Sequence, residues 1–156
     1  MKGDPRIITA LNARLVEEFT AINQYSANEA LLRNWQYGKL ADYLAERRAD
    51  EQKHYTMLLD QILFLEGTPV AGMLNPVQPG KTVPEMLAFD HTSEQNAIRG
   101  YNATIALCCE VGDEITAQIL RSIIADEADH INDIEARQTQ ISQTGLGCFL
   151  AVQIGG

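Results

Sequence analysis

Two copies of one pair of potential metal ligands occur in the sequence. Glu51-x-x-His54 and Glu127-x-x-His130 each place a carboxylate and an imidazole three residues apart, which puts both groups on one face of a helix. A further glutamate precedes each pair by the same interval, since 18 to 51 and 94 to 127 are both steps of 33 residues. The two additional glutamates are Glu18 and Glu94.

All these residues recur at one offset along the chain. Glu18 and Glu94, Glu51 and Glu127, and His54 and His130 are each separated by 76 positions. The same offset relates Ile22/Ile98, Tyr25/Tyr101, Leu44/Leu120 and Asp50/Asp126. The repeat predicts two copies of one helical hairpin, related by a pseudo-two-fold axis.

The combined set of four carboxylates and two imidazoles is typical of a di-iron or di-manganese site in a helix bundle. Two of the carboxylates would bridge the ions, and one Glu and one His would complete each ion. Oxygen and imidazole ligands favour iron or manganese, and the lack of thiolates argues against structural zinc. All of these residues except Glu94 also interrupt the apolar, core-facing stripes of their helices, where an unpaired carboxylate would cost several kcal/mol. A bound cation would compensate that cost.

The distribution of helix-breaking residues indicates which elements must position this set. Four of the five prolines and several glycines fall between Gly67 and Glu85, and the chain on either side is nearly free of them. Gly38 and Gly112 divide the two flanking halves. We therefore predict an all-α, ferritin-like four-helix bundle in a single domain, 1–156, with hairpins at about 4–66 and 82–145, one long crossover at about 67–81, and a short C-terminal helix at about 146–154.

Composition limits the function classes. The 156 residues suit one domain, and a net charge of −9 argues against nucleic acid or an anionic membrane surface as a partner. No apolar run approaches the length of a membrane span, and the first residues lack the apolar core of a signal peptide. Three cysteines form no C-x-x-C motif. These features lead us to expect a soluble, reduced, cytoplasmic protein.

Several segments together resemble bacterioferritins over the whole chain. They are the opening MKGD, Glu18–Tyr25, Asp50–His54, Ile62–Gly67, Glu94, Asp126–His130 and Gly145–Leu150. The resemblance implies a homo-oligomeric shell of about 24 subunits around a hollow core. It also implies that Glu18, Glu51, His54, Glu94, Glu127 and His130 form a ferroxidase centre, which oxidises Fe²⁺ with O₂ or H₂O₂ for storage as ferric mineral.

Tyr25 lies on the same helix stripe as Glu18 and is a candidate redox or supporting residue; the alternative is a purely structural core residue.

The resemblance also assigns roles to residues outside the centre. Bacterioferritins bind haem through a Met at the position occupied here by Gln52, so we expect the homomer to lack haem. Some members build an inner-surface iron site from a His and an Asp; the corresponding residues here are Glu46 and Asp50, so the Asp is kept and Glu replaces the His. The resemblance further implies a ferredoxin-type reductant for iron release and allows a shell mixed with a haem-binding subunit.

Two other functions remain open from the sequence. One is a di-iron enzyme of another kind, such as a peroxidase or an oxygenase. The other is a shell subunit that binds metal without catalysing oxidation.

The resemblance also places Cys148 near a four-fold axis, where four thiols would form a ring. The alternative is a buried, structural role for Cys148.

Overall fold

The computed structural model describes all 156 residues and contains only helices as regular structure. The helices are α1 (Pro5–Asn34), α2 (Gly38–Phe64), α3 (Val83–Val111), α4 (Glu114–Thr144) and α5 (Leu146–Ala151). Short turns join α1 to α2 and α3 to α4, and each of these pairs packs as a hairpin. A long segment connects the hairpins. The predicted four-helix bundle with one crossover and a short fifth helix is confirmed.

Side-chain caps begin the first and third helices where the sequence predicts them. The carboxylate of Asp4 accepts from the backbone N–H of Arg6, and Pro5 occupies the first turn of α1. At α3, Thr82 Oγ1 accepts from the N–H of Glu85 at 3.3 Å. The Glu85 carboxylate accepts from the N–H of Lys81 at 2.8 Å, one residue before the partner expected in a capping box.

The first interhelical turn differs from the prediction. Gly38 is the first residue of α2, and the left-handed residue of the turn is Gln36, with φ of 66°. Its counterpart in the second hairpin is Gly112, with φ of 78°, again 76 positions later. Gly38 serves a different purpose, because a Cβ there would lie 1.9 Å from the carbonyl oxygen of Gly155 in the C-terminal tail.

Helix α2 ends at Phe64, within two residues of the boundary of about 66 predicted for the first hairpin. Glu66 adopts a left-handed φ of 60°, and the N–H of Gly67 closes back on the carbonyl of Ile62 at 2.8 Å. The chain therefore leaves the helix before the glycine rather than at it.

The C-terminal helix is shorter than predicted. It ends at Ala151 instead of Ile154, because the chain turns towards the start of α2. The carbonyl of Gln153 accepts from the N–H of Lys39 at 3.2 Å. This contact ties the tail to the second helix.

Two apolar clusters fill the bundle on either side of a polar middle. The first includes Ile7, Leu11, Leu15, Leu58, Ile62, Leu65, Tyr101, Cys108, Ala117, Leu120 and Ile123. The second includes Tyr25, Leu32, Leu40, Ala41, Tyr43, Leu44, Val83, Met86, Leu87, Ile134 and Phe149. The carboxylates and imidazoles singled out by the sequence lie in the polar middle.

No helix combines the length and apolar character needed to cross a membrane.

Candidate di-metal centre

Four helices bring the six sequence-predicted residues into one buried cluster. Every long helix contributes at least one of them: Glu18 from α1, Glu51 and His54 from α2, Glu94 from α3, and Glu127 and His130 from α4. None of the six is more than 3 % exposed. Their ligand atoms form two groups, each with all atoms within 4.8 Å, and Glu51 and Glu127 belong to both groups.

Glu51 and Glu127 each lie between the two imidazoles. Glu51 places Oε2 at 3.2 Å from His54 Nδ1 and Oε1 at 3.1 Å from His130 Nδ1. Glu127 places Oε1 at 3.0 Å from His54 Nδ1 and Oε2 at 3.4 Å from His130 Nδ1. Each carboxylate therefore offers one oxygen to either half of the cluster, which is the arrangement that a bridging ligand needs.

The remaining two glutamates each serve one half. Glu18 Oε2 lies 3.7 Å from His54 Nδ1, and Glu94 Oε1 lies 3.4 Å from His130 Nδ1. Each imidazole Nδ1 thus faces three carboxylates. The arrangement divides the cluster into two equivalent three-carboxylate, one-imidazole compartments.

An aspartate outside the cluster contacts the Nε2 atom of each imidazole. His54 Nε2 lies 2.9 Å from Asp126 Oδ2, and His130 Nε2 lies 3.2 Å from Asp50 Oδ2. Each contact crosses from one hairpin to the other, so the hairpins hold each other's rings. A hydrogen bond at Nε2 directs Nδ1 towards the centre and raises its basicity as a ligand.

Two tyrosines complete the reciprocal pattern. The Tyr25 hydroxyl donates to Glu94 Oε1 at 2.5 Å, and the Tyr101 hydroxyl donates to a Glu18 oxygen. Both tyrosines are buried, and each restrains a glutamate of the opposite hairpin. Their position between a core cluster and a carboxylate explains why tyrosine, with an apolar ring and a polar tip, stands there.

In the absence of cations, protons compensate the buried charge. Burial and the neighbouring Glu127 raise the pKa of Glu94 to about 8, with His130 opposing the rise. Burial, followed by repulsion from Glu18 and Glu94, raises the pKa of Glu51 well above its usual range. Burial disfavours the imidazolium forms, but the adjacent carboxylates outweigh it and raise the pKa of both histidines. The cluster therefore retains protons that a cation would displace.

Unpartnered atoms point into the centre. Glu51 Oε1, both oxygens of Glu127 and His130 Nδ1 are buried, and their carboxylate–imidazole contacts of 3.0–3.4 Å lack the geometry of a hydrogen bond. Buried polar atoms are otherwise almost always paired, because an unpaired one costs about 1–3 kcal/mol. Hard carboxylate oxygens with two imidazoles fit a pair of iron or manganese ions.

Comparison with known proteins agrees with this geometry. Residues 8–144 match the ferritin-like domain family. The chain is 38% identical to a bacterioferritin of Rhodobacter capsulatus over 142 residues, which is 91% of this chain and 86% of the relative. The chain belongs to the bacterioferritin family. It is also 33% identical to a bacterioferritin of Brucella melitensis over 93% of this chain and 90% of the relative. A bacterial ferritin of Synechocystis is 34% identical over 99% of both chains.

The residues that the resemblance assigned to other bacterioferritin sites lie outside the centre. Gln52 is exposed on α2 and offers an amide, which does not fit haem iron as a thioether would. Glu46 is exposed on the same helix. The Asp50 oxygen is already engaged by His130 and, at 3.3 Å, by Arg47. Cys148 is exposed on α5 rather than buried.

The sequence analysis missed the link between the outer aspartates and the imidazoles. The repeat contains the needed signal, because Asp50 and Asp126 stand immediately before Glu51 and Glu127 and share the offset of 76. The contacts are between hairpins, however, and the repeat does not reveal which imidazole each aspartate approaches. His91, the histidine outside the repeat, does not belong to the cluster. Its Nε2 atom lies 2.9 Å from Glu135 Oε1.

Proposed function

We propose that this chain is the ferroxidase subunit of an iron-storage shell. The observation that carries the proposal is that Glu51 and Glu127 each face both imidazoles with separate oxygens. Two Fe²⁺ ions bind as substrate, one beside each Nδ1. The six binding residues are Glu18, Glu51, His54, Glu94, Glu127 and His130.

Each bound Fe²⁺ gives up one electron, so a pair of ions supplies the two electrons that a peroxide or O₂ accepts. With H₂O₂, two Fe²⁺ and two protons yield two Fe³⁺ and two waters. With O₂, two Fe²⁺ and two protons yield two Fe³⁺ and one H₂O₂. Four anionic carboxylates around two cations favour the ferric product, because Fe³⁺ is the harder and more highly charged ion.

Tyr25 has a supporting role in this proposal. Its hydroxyl bonds to Glu94 at 2.5 Å, which positions that carboxylate for the ion beside His130. Complete reduction of O₂ to water requires four electrons. The two bound Fe²⁺ ions supply two, Tyr25 is the proposed source of the third, and a further Fe²⁺ ion supplies the fourth. Tyr101 occupies the equivalent position beside Glu18.

The storage role places the centre in a shell of about 24 copies in the cytoplasm, with ferric oxide inside. The exposed amide of Gln52 supports a homomer without haem. Glu46 and Asp50 are proposed as an inner-surface contact for iron, and release would require an external reductant of ferredoxin type. A second subunit with Met at position 52 would introduce haem into a mixed shell.

Size-exclusion chromatography with metal analysis tests the proposal. After aerobic addition of Fe²⁺, we expect rapid oxidation by stopped-flow absorbance, and iron eluting with a particle of hundreds of kilodaltons. A monomer or dimer that oxidises Fe²⁺ would favour a di-iron enzyme of another class. A large particle that binds iron without accelerating its oxidation would indicate a non-catalytic shell subunit.

A further inference from the structure

A polar groove lies next to the di-metal centre. It has a volume of about 570 Å³ and runs between α1, α3 and the crossover. A cavity of about 20 Å³ lies over the centre and is lined by Glu18, Glu51, Glu94 and Glu127. Glu17 and Ser93 line both the groove and this cavity. They therefore form the threshold between solvent and the buried carboxylates.

The crossover fixes the outer wall of the groove. The N–H of Asn75 donates to Thr20 Oγ1 at 2.8 Å, and the N–H of Gln78 donates to Gln24 Oε1 at 2.8 Å. These bonds tie the crossover to α1. The wall is thus held by neutral side chains, and Glu17 is the only charged residue that lines the groove.

Glu17 is held with one oxygen free. Its Oε1 accepts from Arg14 Nη2 at 2.7 Å, whereas its Oε2 is buried and has no hydrogen-bond partner. Arg14 lies flat against α3 in space left by Gly100, where a Cβ would come within 1.7 Å of Arg14 Nη1. The arginine therefore fixes one carboxylate oxygen and leaves the other unsatisfied at the cavity.

The internal repeat makes this threshold asymmetric. Glu17 and Ser93 are equivalent positions, since they also differ by 76. One side of the threshold thus carries a carboxylate and the other a hydroxyl. A cation leaving the neutral groove meets one carboxylate, bonded to Arg14 through one oxygen and free at the other, before it reaches the four carboxylates of the centre.

We propose that Glu17 is the transfer carboxylate that takes Fe²⁺ from the polar groove and delivers it to the di-metal centre. The proposal rests on the proposed function and adds to it a residue on the path by which Fe²⁺ enters. Glu17 does not hold the ions during oxidation. It determines how fast the centre fills when Fe²⁺ is scarce.

Stopped-flow oxidation with Glu17→Gln tests this role at varied Fe²⁺ concentration. We expect the rate at low Fe²⁺ to fall on the order of tenfold, because one attracting charge is lost from a focused path. The rate at saturating Fe²⁺ should stay within about twofold of the unmodified protein. Glu17→Asp, which keeps the charge, should recover most of the loss. The rate at which Co²⁺ fills the centre, measured by the Co²⁺ absorbance, should rank the three proteins in the same order, although Co²⁺ is not oxidised.

Glu29→Gln is the matched control. Glu29 lies on the same helix, is held by Arg33 and Arg48, and does not line the groove. Its loss removes the same charge, so a reduction equal to that of Glu17→Gln would overturn the proposal in favour of general electrostatics. An unchanged rate at low Fe²⁺, or an equal fall at saturation, would also overturn it. Any of these results would overturn only the role of Glu17. The proposed function would still stand as long as the unmodified protein oxidises Fe²⁺ rapidly.

Discussion

The two hairpins are alike at the centre and different around it. In each, one terminal glutamate and one histidine form a compartment, and the other hairpin supplies the tyrosine and the aspartate that orient them. The turns match as well, with left-handed residues at Gln36 and Gly112. Equivalence is thus preserved wherever both ions would need the same ligands.

The surroundings of the compartments differ in charge. Arg14 of the first hairpin corresponds to Asp90 of the second, which is 2 % exposed with Oδ1 unpartnered. Burial and the nearby Glu94 raise the pKa of Asp90 well above its usual range. Glu17 corresponds to Ser93 at the threshold. In the proposed function, this difference would give two equivalent binding compartments one asymmetric approach.

The largest expected effect comes from the two carboxylates shared by the compartments. Glu127→Ala should abolish rapid Fe²⁺ oxidation, a loss of about 100-fold or more, because both ions lose a ligand. Glu51→Ala should be equally severe if the halves are equivalent. Stopped-flow absorbance measures both, with particle size as the control for assembly. Rapid oxidation by either variant would contradict the assignment of that carboxylate as shared.

The outer aspartates offer a finer comparison. Asp126→Asn and Asp50→Asn should each weaken Co²⁺ binding about 10- to 100-fold, because each removes the charge that orients an imidazole. Titration of the Co²⁺ absorbance measures the affinities. Similar losses would support equivalent compartments, whereas a loss confined to Asp126 would mean that Asp50 does not orient His130 in solution.

The pH dependence of stability should differ between the metal-free and the metal-loaded protein. Glu94 has a folded pKa of about 8 against an unfolded value near 4.5, so the folded chain holds a proton that the unfolded chain has released. Its contribution to stability is present below about pH 4.5 and is lost as the pH rises towards 8. The raised histidine pKa values act in the same direction above about pH 6.5.

We therefore expect the metal-free protein to unfold at a lower temperature at pH 8 than at pH 6. Co²⁺ should remove this trend, because the ion replaces the protons and binds more tightly as the pH rises. Thermal unfolding followed by circular dichroism measures both. Equal melting temperatures at pH 6 and pH 8 without metal would contradict the protonated state inferred for the cluster.

The turns should give the smallest effect. Gln36→Gly should stabilise the chain by roughly 0.5–1 kcal/mol, because glycine adopts a positive φ without strain. Gly112→Ala should destabilise it by about 1 kcal/mol or more for the same reason. Chemical denaturation of the metal-free protein measures both changes. Opposite signs would support equivalent turns, and a destabilising Gln36→Gly would contradict them.

The sequence predicted which residues meet in the buried cluster, because they repeat at a fixed offset. Glu18, Glu51 and His54 each have a counterpart, and helical spacing was sufficient to place them on core faces. The turn at Gln36 was missed because glycine usually occupies a left-handed position and Gly38 stood nearby. The offset from Gly112 would have identified it.

The threshold could not be predicted from the sequence. Glu17 directly precedes the buried Glu18 on α1 but is itself only half-buried. Many glutamates at the edge of a buried helix face are simply solvated. Its role depends on Arg14 lying against Gly100, which is a contact between two hairpins. Pairings of this kind follow from how the hairpins pack, and residue spacing within one helix does not encode them.

Anomalous diffraction from crystals loaded with Fe²⁺ under anaerobic conditions tests the central claim most directly. The account predicts two iron peaks per subunit, one beside His54 Nδ1 and one beside His130 Nδ1, with Glu51 and Glu127 in contact with both. A single peak in the bundle, or iron found only near Glu46 and Asp50, would contradict it.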